Sequence, residues 1–200
     1  DLVALGFEHV CIVPEGLNFE PLTVLPQKNT KPIAVFSGRL KRAKRPDHAI
    51  KAFAFVKDKI PNAELWVFGD GPFLKTLELL SGPGVKFFGN LSNSERRESL
   101  GQSWVLMVPG VREGWGLNII EANALGLPAV AYDVPGLRDS VKNNETGLLV
   151  EGGNIKDLAE KTLRVLSDEM LRKTLSVNAL NYSRQFSWEI TAGEFMKLIL

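Results

Sequence analysis

Hydrophobic positions along the chain fall into two alternating patterns. Short runs rich in β-branched and aromatic residues predict strands at His9–Val13, Ile33–Ser37, Glu64–Phe68, Val85–Phe88, Trp104–Val108, Ala129–Tyr132 and Gly147–Val150. Most of these runs are apolar nearly throughout rather than alternating, as in strands buried on both faces of a parallel sheet. Between them lie stretches with helical spacing at Pro46–Lys59, Pro72–Leu80, Ser94–Gly101, Leu117–Leu125, Gly136–Lys142 and Asn154–Leu166. Two more, Asp168–Gln185 and Ser187–Ile199, close the chain with no strand between them. Pro46 near a helix start, and Asn154 followed by Asp157, are the kind of boundary residues that cap helices. Strand alternating with helix predicts an α/β fold: a Rossmann-like parallel β-sheet flanked by helices, with right-handed crossovers.

Glycine and proline punctuate the strand ends, at Pro14-Glu15-Gly16, Gly38, Gly69-Asp70-Gly71-Pro72, Gly89, Pro109-Gly110 and Asp133-Val134-Pro135-Gly136. Open α/β sheets bind ligands beyond the carboxyl ends of their strands, so these loops are expected to converge on one crevice.

Composition changes this picture little. The 200 residues suffice for one sizeable domain. A formal net charge of +1 argues against wholesale nucleic-acid binding. The single cysteine, Cys11, excludes an intrachain disulfide and is expected to be a small buried hydrophobe within Val10-Cys11-Ile12-Val13. Trp66, Trp104 and Trp188 lie in strand or helix patterns and are expected in the core. No apolar run approaches the roughly 20 residues of a membrane span. A cytoplasmic protein, or one peripheral at the cytoplasmic membrane face, is the expectation. The start at Asp1, with an apolar run soon after, reads as part of a longer chain. His9 and His48 are the only histidines, and neither has partners at metal-ligand spacing, so neither a metal site nor a Ser-His-Asp triad is expected.

The candidate chemistry concentrates in Glu113-Gly114-Trp115-Gly116-Leu117-Asn118-Ile119-Ile120-Glu121. If the stretch between the glutamates were helical it would span about 12 Å. A glycosidase pair acting across one bond needs roughly 5–9.5 Å. The spacing suits the two ends of an extended ligand instead. Between the carboxylates, a helix N-terminus with free N–H groups around Gly114–Asn118 offers a seat for phosphate. Gly114 and Gly116 allow close approach to the backbone. The bland alternative is a loop glutamate and a solvated helix glutamate. Trp115 either packs beneath its loop or faces the ligand.

Five of the seven residues from Arg39 to Arg45 are basic, directly after a strand and before a helix. Arg and Lys are natural clamps for a diphosphate, although a solvated basic loop would look the same. Gly69-Asp70-Gly71-Pro72-Phe73-Leu74 is half a dinucleotide fingerprint without its third glycine, and reads as a nucleotide-side loop.

Together these residues resemble the C-terminal, donor-binding domain of GT-B-fold retaining glycosyltransferases of family 4, which carry an E-x7-E motif. The resemblance covers nearly the whole chain. It rests on Val13-Pro14-Glu15-Gly16-Leu17, with Glu15 where Asn is usual, and on Ser37-Gly38-Arg39-Leu40 with Lys44 downstream, where Arg45 replaces a common glycine. Gly69-Asp70-Gly71-Pro72, Phe88-Gly89, Glu113 to Glu121 with Ala122, Gly126-Leu127-Pro128-Ala129-Val130-Ala131 and Gly147-Leu148-Leu149-Val150 complete it.

The resemblance implies that Arg39 and Lys44 hold the diphosphate, with Gly38, Gly69 and Gly71 in the adjoining loops. It implies that Glu121 binds the ribose hydroxyls and Glu113 those of the donor sugar. Gly114, Trp115, Gly116 and Leu117 would meet sugar and phosphate, and Gly89, Asn90 and Leu91 would border the base. Many relatives carry an acidic residue soon after that glycine, where this chain has Asn90, Leu91, Ser92 and Asn93. Residues 1–185 would form the donor-binding domain, and 186–200 a helix crossing back to an absent N-terminal acceptor domain. The implied reaction is hexosyl transfer from a nucleotide diphosphate sugar, UDP- or GDP-linked, to a glycan, lipid or other small acceptor. Anomeric configuration is retained, without cofactor or obligatory metal, and the domain alone is inactive. A nucleotide-binding-only module and a sugar-nucleotide epimerase of the same fold are the alternatives.

Overall fold

A computed structural model describes residues 5–199. Six strands form one wholly parallel sheet: β1 (Ile33–Ser37), β2 (Glu64–Phe68), β3 (Val85–Gly89), β4 (Val105–Val108), β5 (Ala129–Tyr132) and β6 (Gly147–Val150), in the order β3-β2-β1-β4-β5-β6. The chain moves outward from β1 through β2 to β3. It then returns to the other side of β1 and moves outward again through β4, β5 and β6. The reversal lies between β1 and β4, and their carboxyl ends flank the place where doubly wound sheets bind ligands.

Eight α-helices complete the fold: α1 (Pro46–Lys59), α2 (Leu74–Leu80), α3 (Asn93–Gln102), α4 (Leu117–Asn123), α5 (Leu137–Ser140), α6 (Ile155–Ser167), α7 (Glu169–Ser183) and α8 (Trp188–Ile199). Right-handed crossovers running in opposite directions from the sheet centre place α1 and α4 on opposite faces. Burial follows the expected pattern. β1, β4 and β5 are buried at every position, whereas the edge strand β3 has Lys86 and Phe88 exposed. Asn154 caps α6, its side chain accepting from the Asp157 amide at 3.0 Å. Ser92 caps α3 in a reciprocal capping box with Glu95.

Three expectations fail at the two ends of the chain. His9–Val13 is not a strand; Ile12 is 87% exposed, and Cys11 is exposed rather than buried. An apolar β-branched run records hydrophobicity, not the presence of a sheet edge to pair with. Here the following residues turn away from the sheet, and the Leu17 amide donates to the Phe186 carbonyl at 2.9 Å, beyond α7. Trp188 is 46% exposed, its indole donating to Asn18 at 3.0 Å. No residue of α8 is buried. Among the described residues no helix is long and apolar enough to cross a membrane.

Candidate functional site

The loops that leave the carboxyl ends of the central strands are tied together through their backbones. Gly38 donates to the Phe68 carbonyl at 3.0 Å, Leu40 to that of Asp70 at 2.9 Å, and Phe73 to that of Leu40 at 3.1 Å. Gly69 donates to Gly89 at 2.7 Å, which brings in the loop after β3. Val111 donates to Ala43 at 3.0 Å, joining the loops after β1 and β4 across the topological switch. The loops therefore converge, as their glycines predict. At Gly69 (φ +117) a Cβ would collide with the Gly38 carbonyl, so the missing side chain there is used for loop packing.

Across the switch, Lys44 Nζ donates to Glu113 Oε2 at 2.5 Å. The Glu113 side chain is only 7% exposed, and its other oxygen, Oε1, is buried with no partner. Lys44 closes a 3₁₀ turn at Arg42–Lys44, and Arg45 follows in the left-handed region at φ 50°. The Arg45 Nε is likewise buried without a partner. Beside it, His48 Nδ1 and Tyr132 Oη lie 2.7 Å apart. Burial lowers the His48 pKa, helped by the positive charges of Arg45 and Lys51 and opposed by Asp47. Burial pushes the Tyr132 hydroxyl up to about 12, so the pair is neutral at neutral pH.

Gly116, at φ +74, opens α4, and a Cβ there would collide with Ser140 Oγ. Asn118 Nδ2 donates to the Ser37 carbonyl at 3.3 Å, fastening the start of α4 to the end of β1. Near the other end of α4, Glu121 meets the Arg96 guanidinium in a two-pronged pair, Nη1 to Oε2 at 2.9 Å and Nη2 to Oε1 at 3.2 Å. Trp115 packs beneath its loop, edge to face with Phe186 at 4.9 Å between ring centres.

A sequence profile of the family described as "Glycosyl transferases group 1" matches residues 22–182. The chain belongs to this family. An exopolysaccharide phosphotransferase of Streptomyces coelicolor is 32% identical to it over 191 residues, 93% of this chain and 20% of that protein. A GDP-mannose-dependent monoacylated alpha-(1-6)-phosphatidylinositol monomannoside mannosyltransferase of Corynebacterium glutamicum is 30% identical over 183 residues, 86% of this chain and 48% of that one. A mutant of S. aureus TarM, crystallised with fondaparinux, alpha-GlcNAc-glycerol and UDP, has the same fold at a TM-score of 0.80 and 21% identity, covering 98% of this chain and 41% of that chain. The chain spans about half or less of the length of these relatives.

In this group 1 chain the residues singled out from sequence fall into three places. Arg39 is exposed at the end of β1, beside Gly38; Gly69 and Gly71 line the next loop. Glu113, Gly114, Trp115, Gly116 and Leu117 run from the loop after β4 into α4, with Lys44 on Glu113 and Glu121 two residues before the end of the helix. Gly89 ends β3, and Asn90 and Leu91 follow it, one loop further out. Neither glutamate is a solvated residue; each is engaged by a cation. The sequence reading missed Arg96. Its signal was available in Ser92-x-x-Glu95, which fixes the start of α3 and puts Arg96 in the first turns of that helix.

Proposed function

We propose that this chain binds the nucleotide diphosphate sugar of a retaining glycosyltransferase and supplies Glu113, Arg39 and Lys44 to hexosyl transfer. The observation that carries the reading is the state of Glu113. Its carboxylate is nearly buried, one oxygen rests on Lys44, and the other has no donor. A buried acceptor without a donor costs about 1–3 kcal/mol, more when charged, and a sugar hydroxyl of the donor removes that cost. Arg39 and Lys44 supply the counter-charge for the departing diphosphate, with no obligatory metal and no cofactor. The amides of Gly116 and Leu117 lie between sugar and phosphate. Glu121 accepts from the ribose hydroxyls, and Gly89, Asn90 and Leu91 border the base.

The acceptor is a glycan, lipid or other small molecule, held mainly by an N-terminal domain, and nucleic acid is not a partner. The exposed apolar side chains of α8, Trp188, Ile190, Phe195, Met196 and Leu198, support a helix that crosses to such a domain. A cytoplasmic site, or the cytoplasmic membrane face, fits this chemistry. The phosphotransferase name of the Streptomyces relative does not compete with this reading, because four-fifths of that protein lies outside the matched segment.

Calorimetric titration of UDP and GDP tests the proposal. Binding to the unaltered protein and its loss in the Arg39→Ala, Lys44→Ala double variant are expected. Equal affinity in the two proteins would overturn it. Transfer to an acceptor by the whole enzyme then separates this reading from a binding-only module. Epimerised donor formed without acceptor would mark an epimerase.

A further inference from the structure

The Arg96–Glu121 pair bears on ribose recognition and rests on the reading just given. Arg96 lies near the start of α3, and its backbone amide donates to the Ser92 carbonyl at 2.9 Å. Ser92 and Glu95 fix that helix start through their capping box. Arg96 reaches across 25 positions of sequence to α4 and binds both oxygens of Glu121, at 2.9 and 3.2 Å. Both side chains are sheltered, Arg96 26% and Glu121 16% exposed.

A carboxylate that recognises a vicinal diol must present both oxygens in one plane at a fixed angle. A glutamate near the end of a seven-residue helix has three rotatable side-chain bonds and would lose that freedom on binding. The guanidinium fork is planar and spends one lone pair on each oxygen. One acceptor site remains on each for a ligand hydroxyl.

We infer that Arg96 is a positioning residue: by fixing the plane of the Glu121 carboxylate it makes the site select nucleotides with intact 2′- and 3′-hydroxyls. Arg96 acts through Glu121 and touches neither the sugar nor the diphosphate. Its loss therefore weakens binding of the ribonucleotide and leaves that of the dideoxy nucleotide in place. A competing arrangement, in which Arg96 blocks Glu121 until the nucleotide displaces it, predicts the opposite sign.

The test uses UDP, GDP and ADP, and the 2′,3′-dideoxy form of whichever binds, titrated into the protein and into Arg96→Gln, Arg96→Lys and Glu121→Gln. The unaltered protein is expected to prefer the ribonucleotide by about tenfold or more, the loss of one or two charge-assisted hydrogen bonds. In Arg96→Gln that ratio is expected to fall to within about threefold of unity through the ribonucleotide alone. Arg96→Lys, which keeps charge and bulk but not the fork, should recover only part of it. A general loosening of the fold would weaken both nucleotides together and leave the ratio intact, which overturns the inference. So does tighter ribonucleotide binding in Arg96→Gln, or a ratio that collapses in Glu121→Gln but not in Arg96→Gln; in these cases the donor-binding reading stands. No binding of any nucleotide to the unaltered protein would instead remove the donor-binding reading itself, and this inference with it.

Discussion

The two ends of the sheet both bury cations, and they treat them in opposite ways. At the amino end, the segment before β1 crosses beneath the helices. Leu22 donates to the Ala124 carbonyl and Asn29 to that of Gln102. Between them Lys28 Nζ donates to the carbonyls of Gly101 at 2.9 Å, in the last turn of α3, and of Gly126 at 3.0 Å, just past the end of α4. Helix-end carbonyls lack intrahelical donors there, and Lys28 supplies two. Arg172 lies 3.8 Å over the Trp104 ring and donates to Val165 and Leu166, and the Trp104 indole donates to Asn29. At the carboxyl end the same kinds of residue are left incomplete. Among the described residues, the two charged side chains with a buried, unpartnered atom, Glu113 and Arg45, both stand at the switch between β1 and β4. The other unpartnered buried atoms, on Asn123 and Thr162, belong to neutral groups. A buried charged group with an unpartnered atom is costly, and under the function proposed above the ligand supplies the missing partner. On that reading the amino end serves stability and the carboxyl end a ligand.

The sharpest way to break this comparison is at Glu113. Glu113→Gln keeps the size of the side chain and removes the charge that Lys44 and the ligand hydroxyl share. Transfer by the whole enzyme is expected to fall about 10²–10³-fold, as when a single preorganised electrostatic contact is removed. Folding stability is expected to fall by about 1–3 kcal/mol as well, because the ion pair of Lys44 with Oε2 becomes a hydrogen bond to a neutral amide. Activity assay and denaturant melting on the same preparation check both. A large loss of stability with little loss of rate would make Glu113 a structural residue.

Lys28→Met should cost stability alone. It leaves the Gly101 and Gly126 carbonyls without their donor, at about 1–3 kcal/mol of stability. Donor affinity measured by calorimetry should not move. The same side chain gives a pH signature. Burial, with Arg172 nearby, brings the Lys28 pKa down to about 7 from 10.5. Between these values the unfolded chain holds a proton that the folded chain does not. This group therefore makes stability rise with pH, by at most about 1.4 kcal/mol per unit. Denaturant melts at pH 7 and pH 9 should show the advantage of the unaltered protein over Lys28→Met widening at the higher pH. Parallel behaviour would mean that the two carbonyls hold the ammonium charged throughout.

The sheet was far more legible in the sequence than the site. Ile33–Ser37, Glu64–Phe68, Ala129–Tyr132 and Gly147–Val150 coincide residue for residue with the strands expected there. Strands buried on both faces write themselves as continuous apolar runs, a local signal. His9–Val13 carries the same signal and forms no strand, because pairing depends on an edge that the run cannot encode. The converging loops were foreseeable from their glycines. The contacts that give the site its character were not: Lys44 and Glu113 are 69 positions apart, and Arg96 and Glu121 are 25 apart. Which cation meets which carboxylate is decided by how the helices pack. The incomplete oxygen on Glu113 is a property of the folded arrangement alone.

Arg45 offers the finest test, because it carries both behaviours in one residue. It stands at φ 50°, a conformation that costs a non-glycine residue about 1–2 kcal/mol. Its Nε is buried with no partner, beside the neutral His48–Tyr132 pair. Neither feature benefits the ligand-free fold, and glycine would adopt this conformation without strain. Arg45→Gly should therefore raise stability by about 1 kcal/mol, the relief of backbone strain less the greater freedom of glycine when unfolded. It should also weaken binding of the nucleotide diphosphate severalfold, by removing a charge beside the diphosphate clamp. Denaturant melting and calorimetry on one variant give both numbers. If stability rises while affinity holds, the strain at Arg45 serves nothing at this site. If both fall, Arg45 belongs with Lys28 among the residues that hold the fold, and the division between the two ends is less clean than the buried charges suggest.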